Sequence, residues 1–286
     1  MAPEQLIVNG IALGSIIALA AVGLTLTYGI LRLSNFAHGD FMTLGAYFTW
    51  LANTSGVNIW LAMILGALGT VVGMLLSELL LWRPMRHVRA SATTLIIISI
   101  GLALFLRNGI IFIWGGNNQS YNLPVVPAID MMGIKIAYYR IIVVIMALLA
   151  IAALHILLQN TKIGKAMRAV ADNVDLARVS GINVDRVVIW TWVITGTLTA
   201  LGGAMYGLIT AVRPNMGWFL ILPMFASVIL GGIGNPYGAI LGALVIGVAQ
   251  ELSVPWLGSE YKLGVALLVM VLMLLIRPQG LFRGTI

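Results

Sequence analysis

Apolar residues in this chain do not alternate with polar ones. They run on in stretches of about 16 to 26 positions, separated by short polar breaks. A helix needs about 20 apolar residues to cross ~30 Å of hydrocarbon, where a backbone group without a partner is not tolerated. The pattern therefore predicts an all-α integral membrane protein, a polytopic bundle crossing the bilayer about eight or nine times. The expected spans are Leu6 to Leu31, Phe36 to Leu51, Asn58 to Trp82, Ala92 to Trp114, Ile141 to Leu158, Val187 to Val212, Gly217 to Gly234, Ala239 to Leu257 and Tyr261 to Ile276. Phe36 to Leu51 and Tyr261 to Ile276 are short by this measure and are open to a re-entrant or broken reading.

Composition agrees with that pattern. Of 286 residues 60% are hydrophobic and 9% charged, with a mean hydropathy of +1.03, whereas soluble domains carry roughly 25% charged residues. No polar stretch is long enough for a separate soluble domain, so residues 1–286 read as one membrane domain. The net charge of +7 sits in short loops between spans. That is the pattern of membrane orientation and not of nucleic-acid binding. The chain has no cysteine, which excludes disulfides and thiolate chemistry. The first apolar run has 26 residues and follows Glu4, unlike the 7–15-residue core and basic start of a cleavable signal, so it is expected to remain as a helix.

Lysine and arginine are retained on the cytoplasmic side of short loops. Arg83, Arg86 and Arg89 form one basic loop, and Lys162, Lys165, Arg168, Arg178 and Arg186 form another, two expected crossings further on. Both then face the cytoplasm, together with Arg277 and Arg283, and Met1 faces the periplasm. Gly115 to Arg140 becomes the long external loop, with Lys135 and Arg140 as mild exceptions. Transporters are often built from inverted halves, and one trace of a repeat is present. Ile64-Leu65-Gly66-Ala67-Leu68 recurs as Ile240-Leu241-Gly242-Ala243-Leu244, each followed in its span by a glutamate and a tryptophan.

Gln159 to Arg186 reads as two short amphipathic helices joined by a turn. Lys165, Arg168 and Asp172 supply a polar face, and Ala166, Met167, Ala169 and Val170 an apolar one. Asn173 is placed to cap the second helix, Gly181 to end it and Asn183 to cap the next span. Two readings stand, a segment lying on anionic lipid or a docking element for a cytoplasmic partner. Ser34 to Asp40 interrupts an apolar region with Asn35, His38 and Asp40. It is either a broken helix that exposes backbone to a ligand or a water path, or a tight turn at the headgroups. Glu78 and Glu251 lie near Trp82 and Trp256, so they are expected at an interface or paired across the bundle. Arg107 is expected to snorkel outward and His155 to be interfacial. Gly231-Gly232-Ile233-Gly234-Asn235-Pro236 marks a sharp break, either a hinge or a hairpin turn. There is no Gly-x-x-x-x-Gly-Lys-[Ser/Thr] run. With three scattered histidines and no cysteine, no metal centre is expected.

Several of these stretches resemble the LivH-type permeases of the branched-chain amino-acid ABC transporter family. The resemblance is carried by Gly23 to Gly29 leading into Asn35 to Asp40, by Gly164 to Asn173 continuing to Gly181-Ile182, by Gly231 to Gly238 and by Arg277 to Phe282. It implies a non-enzymatic permease subunit for branched-chain or other neutral amino acids in a bacterial inner membrane. A second related permease, two cytoplasmic ATPase subunits that bind the ATP, and a periplasmic binding protein would complete it. Asn35, His38, Gly39, Asp40, Gly231 and Gly232 would line the substrate path. Gly164, Lys165, Arg168, Asp172, Asn173, Arg178 and Gly181 would belong to the segment that couples to an ATPase. The alternatives are a urea or short-amide importer of the same superfamily, an ion-coupled secondary transporter using Glu78 and Glu251, and a membrane scaffold.

Overall fold

In the computed structural model, which describes residues 3–124, 126–131 and 134–282, the regular structure is helical apart from one small hairpin. Met1 and Arg283 lie outside the described residues. Eleven helices follow in order. They are α1 (Pro3–Leu31), α2 (His38–Thr54), α3 (Ile59–His87), α4 (Ala92–Trp114), α5 (Tyr138–Asn160), α6 (Lys162–Asp172), α7 (Val174–Val179), α8 (Val184–Ile209), α9 (Met216–Gly231), α10 (Pro236–Leu257) and α11 (Ser259–Ile276). Between α4 and α5 lie β1 (Ile129–Met131) and β2 (Ile134–Ile136), paired antiparallel. Every expected span is matched by a helix, and α4 has the expected bounds. Seven helices, α1, α3, α4, α5, α8, α10 and α11, are long and apolar enough to cross a membrane.

The two remaining apolar helices are short for a reason. The α2 and α9 helices have 17 and 16 residues, about 25 Å each at 1.5 Å per residue. His38, the first residue of α2, places its ring Nε2 2.8 Å from the carbonyl oxygen of Ala20 on α1. Ala20 lies eleven residues before the end of α1, roughly 16 Å along its axis. The chain thus leaves α1, turns through Arg32 in the left-handed region (φ 51°), runs back into the bundle and starts α2 there. Gly217, the second residue of α9, packs against Gly39, the second residue of α2. The expectation of a full span from Gly217 to Gly234 is therefore corrected. Thr210–Asn215 interrupts the path, Pro214 has no N–H to donate, and α9 begins inside the bundle. Tyr261 to Ile276, expected to be short, is extended by a turn and reaches spanning length.

Two long helices, α1 and α8, form the centre. Most of their residues are buried, as expected for helices that are apolar all round. The outer helices α3, α4, α5 and α11 point large side chains outward, including Phe105, Phe112, Leu149 and Leu275. For a membrane bundle this is the lipid-facing surface. The same order of elements, a long helix, an interrupted turn, a short helix and two further spans, occurs in α1–α4 and again in α8–α11. The repeated pentapeptide fits it. Gly66 on α3 packs on Gly45 and Thr49 of α2, and Gly242 on α10 packs on Ser227 and Gly231 of α9.

One end of the bundle gathers the basic segments. Glu78, near the last turns of α3, accepts a hydrogen bond from Trp192 Nε1 at 2.8 Å, close to the start of α8. His155 and Gln159 at the end of α5 bond to Tyr237 at the start of α10. The described residues between α4 and α5 cover the opposite end. Gln119 pairs with Val212, Asn122 N–H donates to Asn53 Oδ1 at 2.7 Å, and Arg140 donates to Asn9. Tyr121 of this loop is buried, which pushes its phenol pKa up.

Candidate functional site

The polar break between α1 and α2 is enclosed. Asn35 and His38 are 0% exposed and Asp40 1%, so the headgroup-turn reading does not describe them. Asn35 Oδ1 accepts the Ala37 N–H at 3.1 Å and so fixes the turn into α2. The Phe36 N–H donates to Ser99 Oγ of α4 at 3.2 Å. His38 Nε2 meets both Ala20 O and Thr199 Oγ1, the latter at 3.1 Å. Because a carbonyl oxygen only accepts, Nε2 carries the proton. His38 Nδ1 and Asn35 Nδ2 are buried without a partner among the described residues. Unpartnered buried polar atoms cost free energy, and they are the two groups here with capacity left for a ligand or a water.

Asp40 is fully occupied. Arg107 Nε donates to Oδ1 at 3.0 Å and Nη2 donates to Oδ2 at 3.1 Å, a bidentate pair. The guanidinium also lies 4.5 Å from the centroid of the Trp218 ring on α9. Arg107 therefore does not snorkel. It turns inward because a buried carboxylate and the face of an indole together compensate for its lost hydration. The two first turns of α2 and α9 are thereby joined to α4. Next to this pair, Gly39 and Gly217 face each other so closely that a Cβ on either would strike the other's backbone, and the Gly217 N–H donates to Thr43 Oγ1 at 3.0 Å.

The structure brings Asn35, His38, Gly39 and Asp40 together but not Gly231 and Gly232. Those two sit at the far end of α9, about 21 Å from Gly217 along the helix. Gly232 has φ 106° and Gly234 φ 88°, and Asn235 caps α10 through the N–H groups of Tyr237 and Gly238. This is a tight hairpin at the basic end, sealed by the Leu281 and Phe282 N–H groups donating to Leu230 and Gly231.

Glu78 pairs with Arg86 of its own helix, both its oxygens accepting, and is tied across the bundle by Trp192, which donates to Oε2. A π-helical turn over Glu78–Trp82 turns both of its end residues inward, where Trp82 Nε1 donates to Ser77 Oγ at 3.2 Å. Glu251 receives Lys262 Nζ at 2.6 Å.

The segment after α5 is built as an elbow. Thr161 caps α6 through the Gly164 N–H, and a side chain at Gly164 would strike the last carbonyls of α5. Asn173 accepts the N–H groups of Asp175 and Leu176, both at 3.0 Å, Gly181 ends α7 at φ 85°, and Asn183 accepts the Arg186 N–H. Met167 and Val170 are buried against the bundle, while Lys165, Arg168, Asp172 and Arg178 are exposed. What sequence reasoning missed is apolar. Leu176 and Val179 on α7 are 62% and 81% exposed. The available signal was two aliphatic residues flanking Asp175 and Arg178 in so short a helix.

A family model described as "Branched-chain amino acid transport system / permease component" matches residues 6–274. The high-affinity branched-chain amino acid transport system permease protein LivH of Salmonella typhimurium is 32% identical, covering 97% of this chain and 94% of its own. The permease protein BraD of Pseudomonas aeruginosa is 30% identical with the same coverage. A probable LivH of Methanocaldococcus jannaschii is 29% identical over 97% of this chain and 92% of its own. No solved structure matches the chain.

Proposed function

We propose, on the premise that this chain belongs to the family of permease components of branched-chain amino acid transport systems, that it is the membrane subunit through which an ATP-driven importer passes branched-chain or other neutral amino acids. The observation that carries the proposal is the similarity to the LivH and BraD permeases, which covers 97% of this chain and 94% of each relative. The bundle supplies what such a role needs. Two helices, α2 and α9, begin inside it, where their N-termini meet beside a buried ion pair. Half-helices that start near the midplane are how transporters expose backbone to cargo without breaking a lipid-facing helix.

In this reading the basic end faces the cytoplasm, the loop 115–137 faces the periplasm, and the elbow α6–α7 meets an ATPase. Exposed Leu176 and Val179 provide an apolar anchor, and Lys165 and Arg178 steer the approach. Energy comes from outside the chain. ATP bound by two cytoplasmic subunits draws the elbows of two permeases together, and a periplasmic binding protein delivers the amino acid. Asn35 Nδ2 and His38 Nδ1 are the unpartnered polar atoms of the α1–α2 break that a passing ligand can meet. Asp40 acts by holding Arg107 and the two helix starts in place.

Affinity capture of the tagged chain from its host in mild detergent, followed by mass spectrometry, tests the assembly. The expected companions are a second permease and ATPase subunits. Recovery of this chain alone, under conditions that keep a control importer intact, would contradict the proposal.

A further inference from the structure

A cavity of about 370 Å³ opens at the basic end between α1, α5, α6 and the α9–α10 turn, within the size range of small-molecule sites. Its floor is aliphatic, formed by Leu26, Ile30, Leu158 and Met167, all buried. Arg168 and Asp172 stand on its rim, one helical turn apart on α6. Opposite charges at that spacing commonly pair with each other, yet these do not. Arg168 Nη1 donates instead to Gln159 Oε1 at 2.5 Å, and no ion pair joins Asp172 to a cation among the described residues. The cavity thus offers a guanidinium and a carboxylate separately, above an aliphatic floor. That arrangement complements the carboxylate, ammonium and side chain of one aliphatic α-amino acid.

We propose that this cavity is a product-sensing site. It binds a free aliphatic amino acid from the basic side, with the carboxylate on Arg168, the ammonium on Asp172 and the side chain over Leu26 and Ile30. The inference rests on the importer reading given above and extends it. A ligand held between α6 and the ends of α1 and α10 favours the elbow position that creates the cavity, and so opposes the movement that coupling requires. It shifts the equilibrium by its differential affinity for the two positions.

The test uses the complete importer, with ATPases and binding protein, in proteoliposomes whose lumen corresponds to the cytoplasm. Vesicles loaded with millimolar leucine are expected to show initial uptake and ATP hydrolysis at least about 5-fold slower than empty ones, the lower end of common allosteric coupling. Leucinol, which lacks the carboxylate, and isovalerate, which lacks the ammonium, leave the rates unchanged. Gly29 lines the cavity, and a Cβ there meets only the Gly234 Cα at 3.8 Å. Gly29→Leu fills the space, so it retains uptake into empty vesicles and loses the sensitivity to internal leucine. Asp172→Asn, read for leucine sensitivity and not for basal rate, is the second variant and is expected to lose it too. Equal rates in loaded and empty wild-type vesicles would overturn the proposal, as would inhibition that persists unchanged in both variants. No uptake even into empty vesicles would remove the importer reading, and this site with it.

Discussion

Two segments of this chain interrupt the apolar pattern with the same kinds of residue, and the fold uses them in opposite ways. Around Asn35, His38 and Asp40 the polar groups are enclosed by α1, α4, α8 and α9, and most of them are partnered. Around Lys165, Arg168, Asp172 and Arg178 the charges stay exposed, and only the apolar side of the elbow is buried. What decides between the two outcomes is the rest of the chain. The first segment finds Arg107 on α4 and Thr199 on α8. The second has only the ends of α1, α5, α8 and α10 beneath it. A buried polar break becomes rigid, and an exposed one remains available for a partner.

The contrast can be broken most severely at the ion pair. Arg107→Ala leaves the Asp40 carboxylate buried and alone, a loss of about 3–5 kcal/mol, read as loss of folded protein in a detergent thermal-stability assay. The double variant Asp40→Asn with Arg107→Gln recovers part of it. Next in size is Gly217→Val, whose added carbons meet the backbone of Gly39 and Thr43 Oγ1. Overpacking of this kind costs about 1–3 kcal/mol, and cysteine crosslinking between α2 and α9 would register the displacement. Asn173→Ala removes two capping bonds from α7 and costs about 1 kcal/mol, visible as faster hydrogen exchange confined to the elbow. Smallest in stability is Leu176→Asp with Val179→Asp. It stays within about 0.5 kcal/mol of the wild type because both side chains are exposed, while ATPase subunits are no longer captured. A comparable loss of stability there would erase the distinction between the two segments.

Local chemistry was readable from the sequence, and long-range pairing was not. The helices follow from runs of apolar residues. The elbow follows from Asn173, Gly181 and Asn183, which act through neighbours two or three positions away. The partner of Asp40 lies 67 positions on, and that of Glu78, Trp192, lies 114 on. Periodicity carries no information over such separations. A charge argument would have helped with the first. An arginine and an aspartate inside predicted spans each need a counter-ion in hydrocarbon, and Asp40 and Arg107 satisfy each other. The break before α9 is legible to within one residue, but the start of α9 inside the bundle is not, because the Gly39 backbone that Gly217 packs on lies 178 positions earlier. Glycine density at Gly231 and Gly232 is the same signal in a hinge, a packing face and a hairpin, so the sequence leaves the turn there undecided.

The central claim is that energy enters through the elbow, from ATP, and not through a buried carboxylate. Leucine uptake should therefore be measured in proteoliposomes containing this chain, its partner permease, the ATPases and the binding protein, with wild-type chain and with Leu176→Asp/Val179→Asp. Uptake that requires luminal ATP, resists an uncoupler and falls at least about tenfold in the double variant is the predicted result, equivalent to about 1.4 kcal/mol or more of lost coupling. Uptake that proceeds without ATPase subunits and collapses with the uncoupler would contradict it.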